Sequence, residues 1–271
     1  MKPKKFFGQH FLHDQSVVEA IVAAAHISPQ DIVLEIGPGK GVLTRRLVEE
    51  AMRVVAVDID GEAIAEVRAH VPANNLELVH ADILSLSSIE RDDLVGTDYI
   101  CVGNLPYNIT SEVLNTFLVQ EPKPLRCVFM VQREVAQRMM AGAGDMNRLA
   151  LLVQLHALVS RVVHVKPGAF FPPPEVQSTV VRLDVMTRED QHDRGIRDAK
   201  ALMDFAATAF QGKRKQLVST LISRNGLTRE RIAQVLIALG LPETARPQEL
   251  SVDQWIEFHR ACTAARCSAT T

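Results

Sequence analysis

Four consecutive residues, Asn104-Leu105-Pro106-Tyr107, carry the groups needed to work on an aromatic amine. The lone pair of an exocyclic amine on a nucleobase is delocalised into the ring, so the nitrogen is a poor nucleophile. The Asn104 side-chain oxygen and the Leu105 carbonyl would accept its two N–H bonds and align the nitrogen for attack. Pro106 has no N–H to compete and fixes the turn. Tyr107 offers a flat face on which a flipped base can stack. No general base is needed first, because the proton can leave after the new bond has formed. The structural alternative is a strand-to-loop turn in which Asn and Pro serve backbone geometry and Tyr plugs a gap.

A second aromatic source lies in Ala169-Phe170-Phe171-Pro172-Pro173-Pro174. Three prolines stiffen that loop at low entropic cost. One phenylalanine is expected to fill the core beneath it and the other to face the base, and Phe170 is assigned to the base.

Glu35-Ile36-Gly37-Pro38-Gly39-Lys40-Gly41 leaves an apolar run and enters a helical pattern. Glycines at 37, 39 and 41 allow a tight turn and close approach of a ligand to the backbone. A dinucleotide fingerprint would place its third glycine at 42, where Val42 stands. The loop therefore suits S-adenosylmethionine, which has no phosphate to cradle, better than a pyrophosphate. The next run ends at Asp58, whose carboxylate can accept from both ribose hydroxyls. Asp60 competes for that role but is read as the cap of the following helix. Asp82 follows the third run and can accept from an adenine amino group, with a helix cap before ILSLSS as the alternative.

The elements that must position these residues follow from periodicity. DIVLEIG, RVVAVD, LELVH, TDYICVGN and LRCVFMVQ read as strands, separated by the helical stretches GVLTRRLVEEA, GEAIAEVRAH and TSEVLNTFLVQ. Such alternation implies a mostly parallel sheet with helices on both faces, and ligands then bind beyond the carboxyl ends of the strands. SVVEAIVAAAH precedes the sheet as a helix capped by Asp14 or Ser16. After Ala150 come a buried apolar stretch, LALLVQLHALV, and the hairpin-like pair RVVHVKPGAF and STVVRLDV at the sheet edge. MTREDQHDRGIRD is charged and reads as a linker. AKALMDFAATAF, KQLVSTLI, RERIAQVLIALG and VDQWIEFHRAC are all helical patterns, with Trp255 in a core position. The expected organisation is an α/β, Rossmann-like methyltransferase sheet over residues 1–186 and a small all-helical C-terminal domain over 187–271.

Composition narrows the partners. The 271 residues are 47% hydrophobic, enough for a sizeable core, and 30 Lys and Arg against 32 Asp and Glu give a net charge of −2. A nucleic-acid enzyme with that balance must gather its basic residues on one face. Candidates are Lys2, Lys4 and Lys5; Lys213-Arg214-Lys215; and Arg133, Arg138 and Arg148, each of which alone reads as solvated surface. Cys101, Cys127, Cys262 and Cys267 form no C-x-x-C pair, and the nine histidines show no ligand spacing, so inert thiols and no metal are expected. No run approaches the length of a membrane span and the N-terminus lacks a signal peptide's apolar core, so a cytoplasmic protein is expected.

Taken in order, Phe7-Gly8-Gln9-His10-Phe11-Leu12, the Glu35–Gly41 loop, Asn104-Leu105-Pro106-Tyr107-Asn108-Ile109-Thr110 and Phe170-Phe171-Pro172-Pro173-Pro174-Glu175-Val176-Gln177-Ser178 form a specific set. With Phe210 to Leu217 and Arg246-Pro247-Gln248-Glu249-Leu250-Ser251, the chain resembles the KsgA/RsmA-type small-subunit ribosomal RNA adenine dimethyltransferases over nearly its whole length. The resemblance implies S-adenosylmethionine as methyl donor. It implies two adjacent adenosines in a hairpin near the 3′ end of small-subunit rRNA as substrate, and N6,N6-dimethyladenosine as product. It would place His10 and Leu12 in the cofactor pocket with Gly37, Asp58, Asp82 and Asn104. His10 stands where that family often has Asn, and Asp58 where Glu is common; both still hydrogen-bond, so cofactor affinity is what these departures touch.

Three other functions share these features. Large-subunit rRNA adenine methyltransferases of the macrolide-resistance type carry N-[IL]-P-Y, but the helical tail and the NLPYNIT and FPPPEVQS details favour the small-subunit group. DNA adenine methyltransferases usually carry a D/N-P-P-Y/F variant and a target-recognition region for which this chain lacks room. A ribosome-assembly or RNA-binding factor would need no intact Asn104 and cofactor loop. Nothing in the sequence demands more than a monomer.

Overall fold

The computed structural model describes residues 9–212, 215–222 and 227–264. The expectations resting on Lys2, Lys4, Lys5, Phe7, Gly8, Lys213, Arg214 and Cys267 lie outside the described residues. In chain order the strands are β1 (Phe11–Leu12), β2 (Ile32–Ile36), β3 (Arg53–Asp58), β4 (Leu76–His80), β5 (Tyr99–Asn104), β6 (Arg126–Gln132), β7 (Ala157–Val165), β8 (Phe170–Phe171) and β9 (Ser178–Val185). The helices that accompany them are α1 (Gln15–Ala25), α2 (Val42–Glu50), α3 (Gly61–His70), α4 (Ser88–Val95), α5 (Thr110–Val119), α6 (Arg133–Met139) and α7 (Arg148–His156). Five more follow: α8 (Arg188–Asp193), α9 (Ala199–Phe210), α10 (Leu217–Leu221), α11 (Arg229–Ala238) and α12 (Val252–Ala264).

Seven strands form one mixed sheet in the order β4-β3-β2-β5-β6-β9-β7, and β1 pairs with β8 in a separate two-stranded ribbon. β4 through β6 run parallel, while β9 is antiparallel to both β6 and β7. The central strands are buried on both faces, which is why they read as mostly apolar runs rather than alternating patterns. The Rossmann-like sheet and the helical C-terminal region are thus as expected.

Helix α1 shows how side-chain spacing sets the packing. Val17, Val18, Ile21, Val22 and Ala25 recur on one face, are buried, and join the core formed by Val33, Val54, Val102, Val128 and Val180. Of its two candidate caps, Asp14 does the capping, accepting from the Ser16 N–H. Its C-terminal carbonyls are met by arginines from the sheet edge, Arg182 donating to Ala24 O and Arg126 to Ala25 O.

The chain divides into two compact units, one of residues to 136 with 157–185, the other of 137–156 with residues from 186 onward. The helical unit therefore contains 137–156, a segment that the sequence pattern groups with the sheet. Its own core gathers Trp255, Phe205, Phe258, Leu151 and Leu155, and Trp255 Nε1 donates to Pro247 O at 3.2 Å. Two local expectations change. The apolar stretch 149–159 is not one element: α7 ends at His156 and β7 begins at Ala157. The expected linker contains α8, started by reciprocal Thr187–Asp190 capping, which organises a helix with one buried residue, Gln191. Cys101, Cys127 and Cys262 are free and buried. Among the described residues no helix is long and apolar enough to cross a membrane.

Candidate active site

The chain leaves β2 for β3 and β4 on one side, then returns to β5 and β6 on the other. Loops diverge at such a reversal, and a crevice opens beyond the strand ends. Here a cavity of about 440 Å³ lies against Glu35 at the end of β2, Asp58 at the end of β3, Asp82 after β4 and Asn104 at the end of β5. Every lining residue belongs to the first unit.

The glycine loop closes the floor. Gly37, Gly39 and Gly41 all have positive φ, at 72°, 56° and 74°. Gly37 and Gly39 line the cavity, and the Gly37 N–H donates to Val57 O at 2.9 Å. Gly41 does not line it: it caps α2, and an added Cβ would lie 2.9 Å from Val71 Cγ2. The structure thus gives Gly41 a packing role at the start of α2. A glycine absent from the sequence motifs matters as much, because a Cβ on Gly103 would sit 2.7 Å from the Ile36 carbonyl oxygen.

The two carboxylates on the floor sit in poor solvent. Glu35 is 1% exposed, and its Oε2 finds no hydrogen-bond partner among the described residues. Burial pushes its carboxyl up to about 8, against the pull of the neighbouring Thr44 hydroxyl and with the Asp58 charge adding to the rise. Asp58 is also raised, chiefly by burial, while backbone N–H groups of Asp60 and Gly39 oppose the shift. Asp60 takes the capping role expected of it, accepting from Glu62 N–H, and also from Gln9 Nε2 at 2.9 Å. Asp82 lines the cavity, and its Oδ1 accepts from Leu84 N–H at 3.0 Å. That bond closes a turn rather than a helix, since α4 starts later, at the reciprocal Ser87–Glu90 cap.

Asn104, Leu105, Pro106 and Tyr107 all line the same cavity. Asn104 Nδ2 donates to the His10 carbonyl at 3.0 Å, and Oδ1 accepts nothing among the described residues. The amide is thereby held with its acceptor free. Leu105 is buried, with its N–H on Met130 O, and Pro106 O accepts from Ile109 N–H. Tyr107 is tied by its hydroxyl to Ser178 Oγ at 2.9 Å, and its ring stacks on the His10 imidazole with centroids 6.1 Å apart. His10 Nδ1 donates to Pro172 O at 2.7 Å, so one residue joins the tyrosine to the proline loop.

The ribbon sorts the two phenylalanines. Leu12 faces Phe170 and Phe11 faces Phe171, and alternation turns one pair inward and leaves Phe171 outside. Phe170 is 2% exposed within the apolar core and is not part of the cavity wall, whereas Phe171 is 59% exposed. The structure thus places Phe170 in the core behind the cavity and leaves Phe171 as the exposed ring of the pair. His10 and Leu12 do line it. Phe11, Lys40, Ile59 and Leu84 line it too and were missed. The spacing of His10 and Leu12 would have been the signal for Phe11, and Lys40 stood inside the glycine loop; Ile59 and Leu84 carry no chemical signature.

The pattern of the ribosomal RNA adenine dimethylase family matches residues 1–262. A ribosomal RNA small subunit methyltransferase A from Dehalococcoides mccartyi is 37% identical over 258 residues, covering 94% of this chain and 87% of its own. The protein of that name from Bordetella pertussis is 39% identical over 264 residues, covering 97% and 95%. Among solved structures, a dimethyladenosine transferase from Plasmodium falciparum superposes with a TM-score of 0.72 at 28% identity, covering 92% and 96%. The 23S rRNA methyltransferase ErmE gives 0.73 at 24% identity, covering 93% and 99%, which shows a shared fold. The chain belongs to the ribosomal RNA adenine dimethylase family.

Proposed function

We propose that this protein transfers methyl groups from S-adenosylmethionine to N6 of two adjacent adenosines in the 3′-terminal hairpin of small-subunit rRNA, giving N6,N6-dimethyladenosine. It acts as a cytoplasmic monomer on a small-subunit precursor and needs no metal. The observation that carries this is Asn104, which lines the cavity and whose Nδ2 is committed to the His10 carbonyl while Oδ1 accepts nothing among the described residues. An acceptor held that way suits an amine better than a carbonyl or phosphate.

The residues present fit the methyl donor. Glu35 brings a buried carboxylate oxygen with no partner among the described residues, which a cationic ligand would satisfy. Asp58 and Asp82 offer acceptors for ribose hydroxyls and an adenine amino group, and His10 and Leu12 close the wall. When bound, S-adenosylmethionine supplies a methyl group activated by its sulfonium. Asn104 Oδ1 and the Leu105 carbonyl accept the N–H bonds of the adenine amine and draw its lone pair towards the reacting face. Tyr107, braced by Ser178, stacks on the flipped base and keeps water from that face. The displaced proton passes to solvent after each transfer. Asn104→Ala separates this from a mere binding role. Methyl transfer should drop at least about 100-fold, with S-adenosylmethionine affinity held within a few-fold by equilibrium dialysis. Equal losses of both would overturn the assignment of Asn104.

A further inference from the structure

Among the described residues, Phe171 is the one exposed aromatic beside the site that the mechanism above does not use, and Lys40 is the one lysine or arginine in the cavity wall. Lys40 Nζ lies 5.2 Å from the Phe11 ring centroid and 5.9 Å from that of Phe171. No carboxylate pairs with Lys40 among the described residues. Cation–π contacts hold its charge in place without neutralising it. Phe11 and Phe171 are register partners across the β1–β8 ribbon, so the platform rests on paired backbone rather than a free loop. Tyr107 is inside the cavity and Phe171 is outside its wall. A base that stacks on Phe171 is therefore not the one being methylated.

Resting on the reading of the site as an RNA adenine methylation centre, we propose that Phe171 and Lys40 form a flanking-nucleotide subsite. A base next to the target stacks on Phe171, and the phosphate joining the two nucleotides meets Lys40. An aromatic face beside an unneutralised cation is the pairing that single-stranded nucleic acid uses, base on ring and backbone on charge. The subsite would keep a neighbouring nucleotide ordered while its partner is flipped into the cavity. In a substrate with two adjacent adenosines, it would hold one while the other reacts.

The test is binding of the full chain to a labelled single-stranded RNA oligonucleotide with two adjacent adenosines, followed by fluorescence anisotropy across a salt series. Phe171→Ala should weaken binding roughly tenfold, and Phe171→Trp should restore it. Lys40→Gln should weaken it and lower the slope of log affinity against log salt by about 0.7. S-adenosylmethionine affinity, measured by dialysis, should be unchanged in the two Phe171 variants, whose ring lies outside the cavity wall. No loss of RNA binding in Phe171→Ala, or a fall in S-adenosylmethionine affinity that accounts for the whole effect, would overturn the subsite. Methyl transfer by the parent chain is scored separately. Transfer with unchanged RNA binding in the variants sinks only the subsite, whereas weakened RNA binding in variants of an inactive parent supports the subsite and sinks the reaction.

Discussion

Replacing Glu35 with glutamine should flatten the pH dependence of the sheet unit's stability. Glu35 is an acid whose folded pKa, about 8, lies above its ordinary value of 4.5. Its contribution to stability is fully present below the lower value and is lost as pH rises through the higher one. Between them the folded state holds a proton that the unfolded state has released. At about 1.4 kcal/mol per unit, the loss between about pH 5 and about pH 8.5 is roughly 4 kcal/mol, a large share of a typical domain's stability. A glutamine at this position keeps the shape and cannot ionise, so the stability difference between parent and variant should move by that amount over the range. Urea unfolding read at two wavelengths isolates the effect. Both tyrosines, Tyr99 and Tyr107, lie in the sheet unit, and the single tryptophan, Trp255, lies in the helical one. The tyrosine signal should show the divergence and the tryptophan signal should not. Parallel pH profiles for parent and Glu35→Gln in the tyrosine signal would refute the buried, protonated carboxyl.

Binding of S-adenosylmethionine should bring a positive charge to Glu35 and release its proton. With a pKa of about 8, about nine-tenths of a proton per site is available at neutral pH. Calorimetry in buffers of different ionisation enthalpy reads that release, which Glu35→Gln should abolish. Gly103→Ala places a Cβ 2.7 Å from the Ile36 carbonyl oxygen and should destabilise the sheet unit by about 1–3 kcal/mol in urea unfolding. Tyr107→Phe keeps the ring but loses the bond to Ser178, so it should cost about 1 kcal/mol of stability. The same variant should leave KM for the RNA within a few-fold, whereas Tyr107→Ala should raise it roughly tenfold.

The sheet was legible because its central strands are apolar on both faces. RVVAVD is apolar at its four inner positions, and the ends of RVVAVD and STVVRLDV coincide with Asp58 and Val185. Elements without an apolar face were not legible. α4 buries only Arg91 and Val95, and α8 only Gln191, so each is announced by its capping pair rather than by periodicity. The junction at His156–Ala157 was hidden because one apolar run serves two elements of different period. At the site, Glu35, Asp58, Asp82 and Asn104 could be placed because parallel strands deliver their C-terminal ends to one edge. The order of Phe170 and Phe171 could not. It depends on pairing with Phe11 and Leu12, far away in sequence, and a slip of one residue would exchange the two rings. The packing role of Gly41 was hidden for a similar reason, since its tight neighbour Val71 comes from the far end of α3.

Transfer of labelled methyl from S-adenosylmethionine to unmethylated small ribosomal subunits, with nucleoside analysis of the product, decides the proposed activity. N6,N6-dimethyladenosine at two adjacent positions near the 3′ end of the small-subunit RNA is the predicted result. Label in large-subunit RNA instead would contradict it and move the protein to the resistance-type activity; label in neither would leave an assembly factor without catalysis.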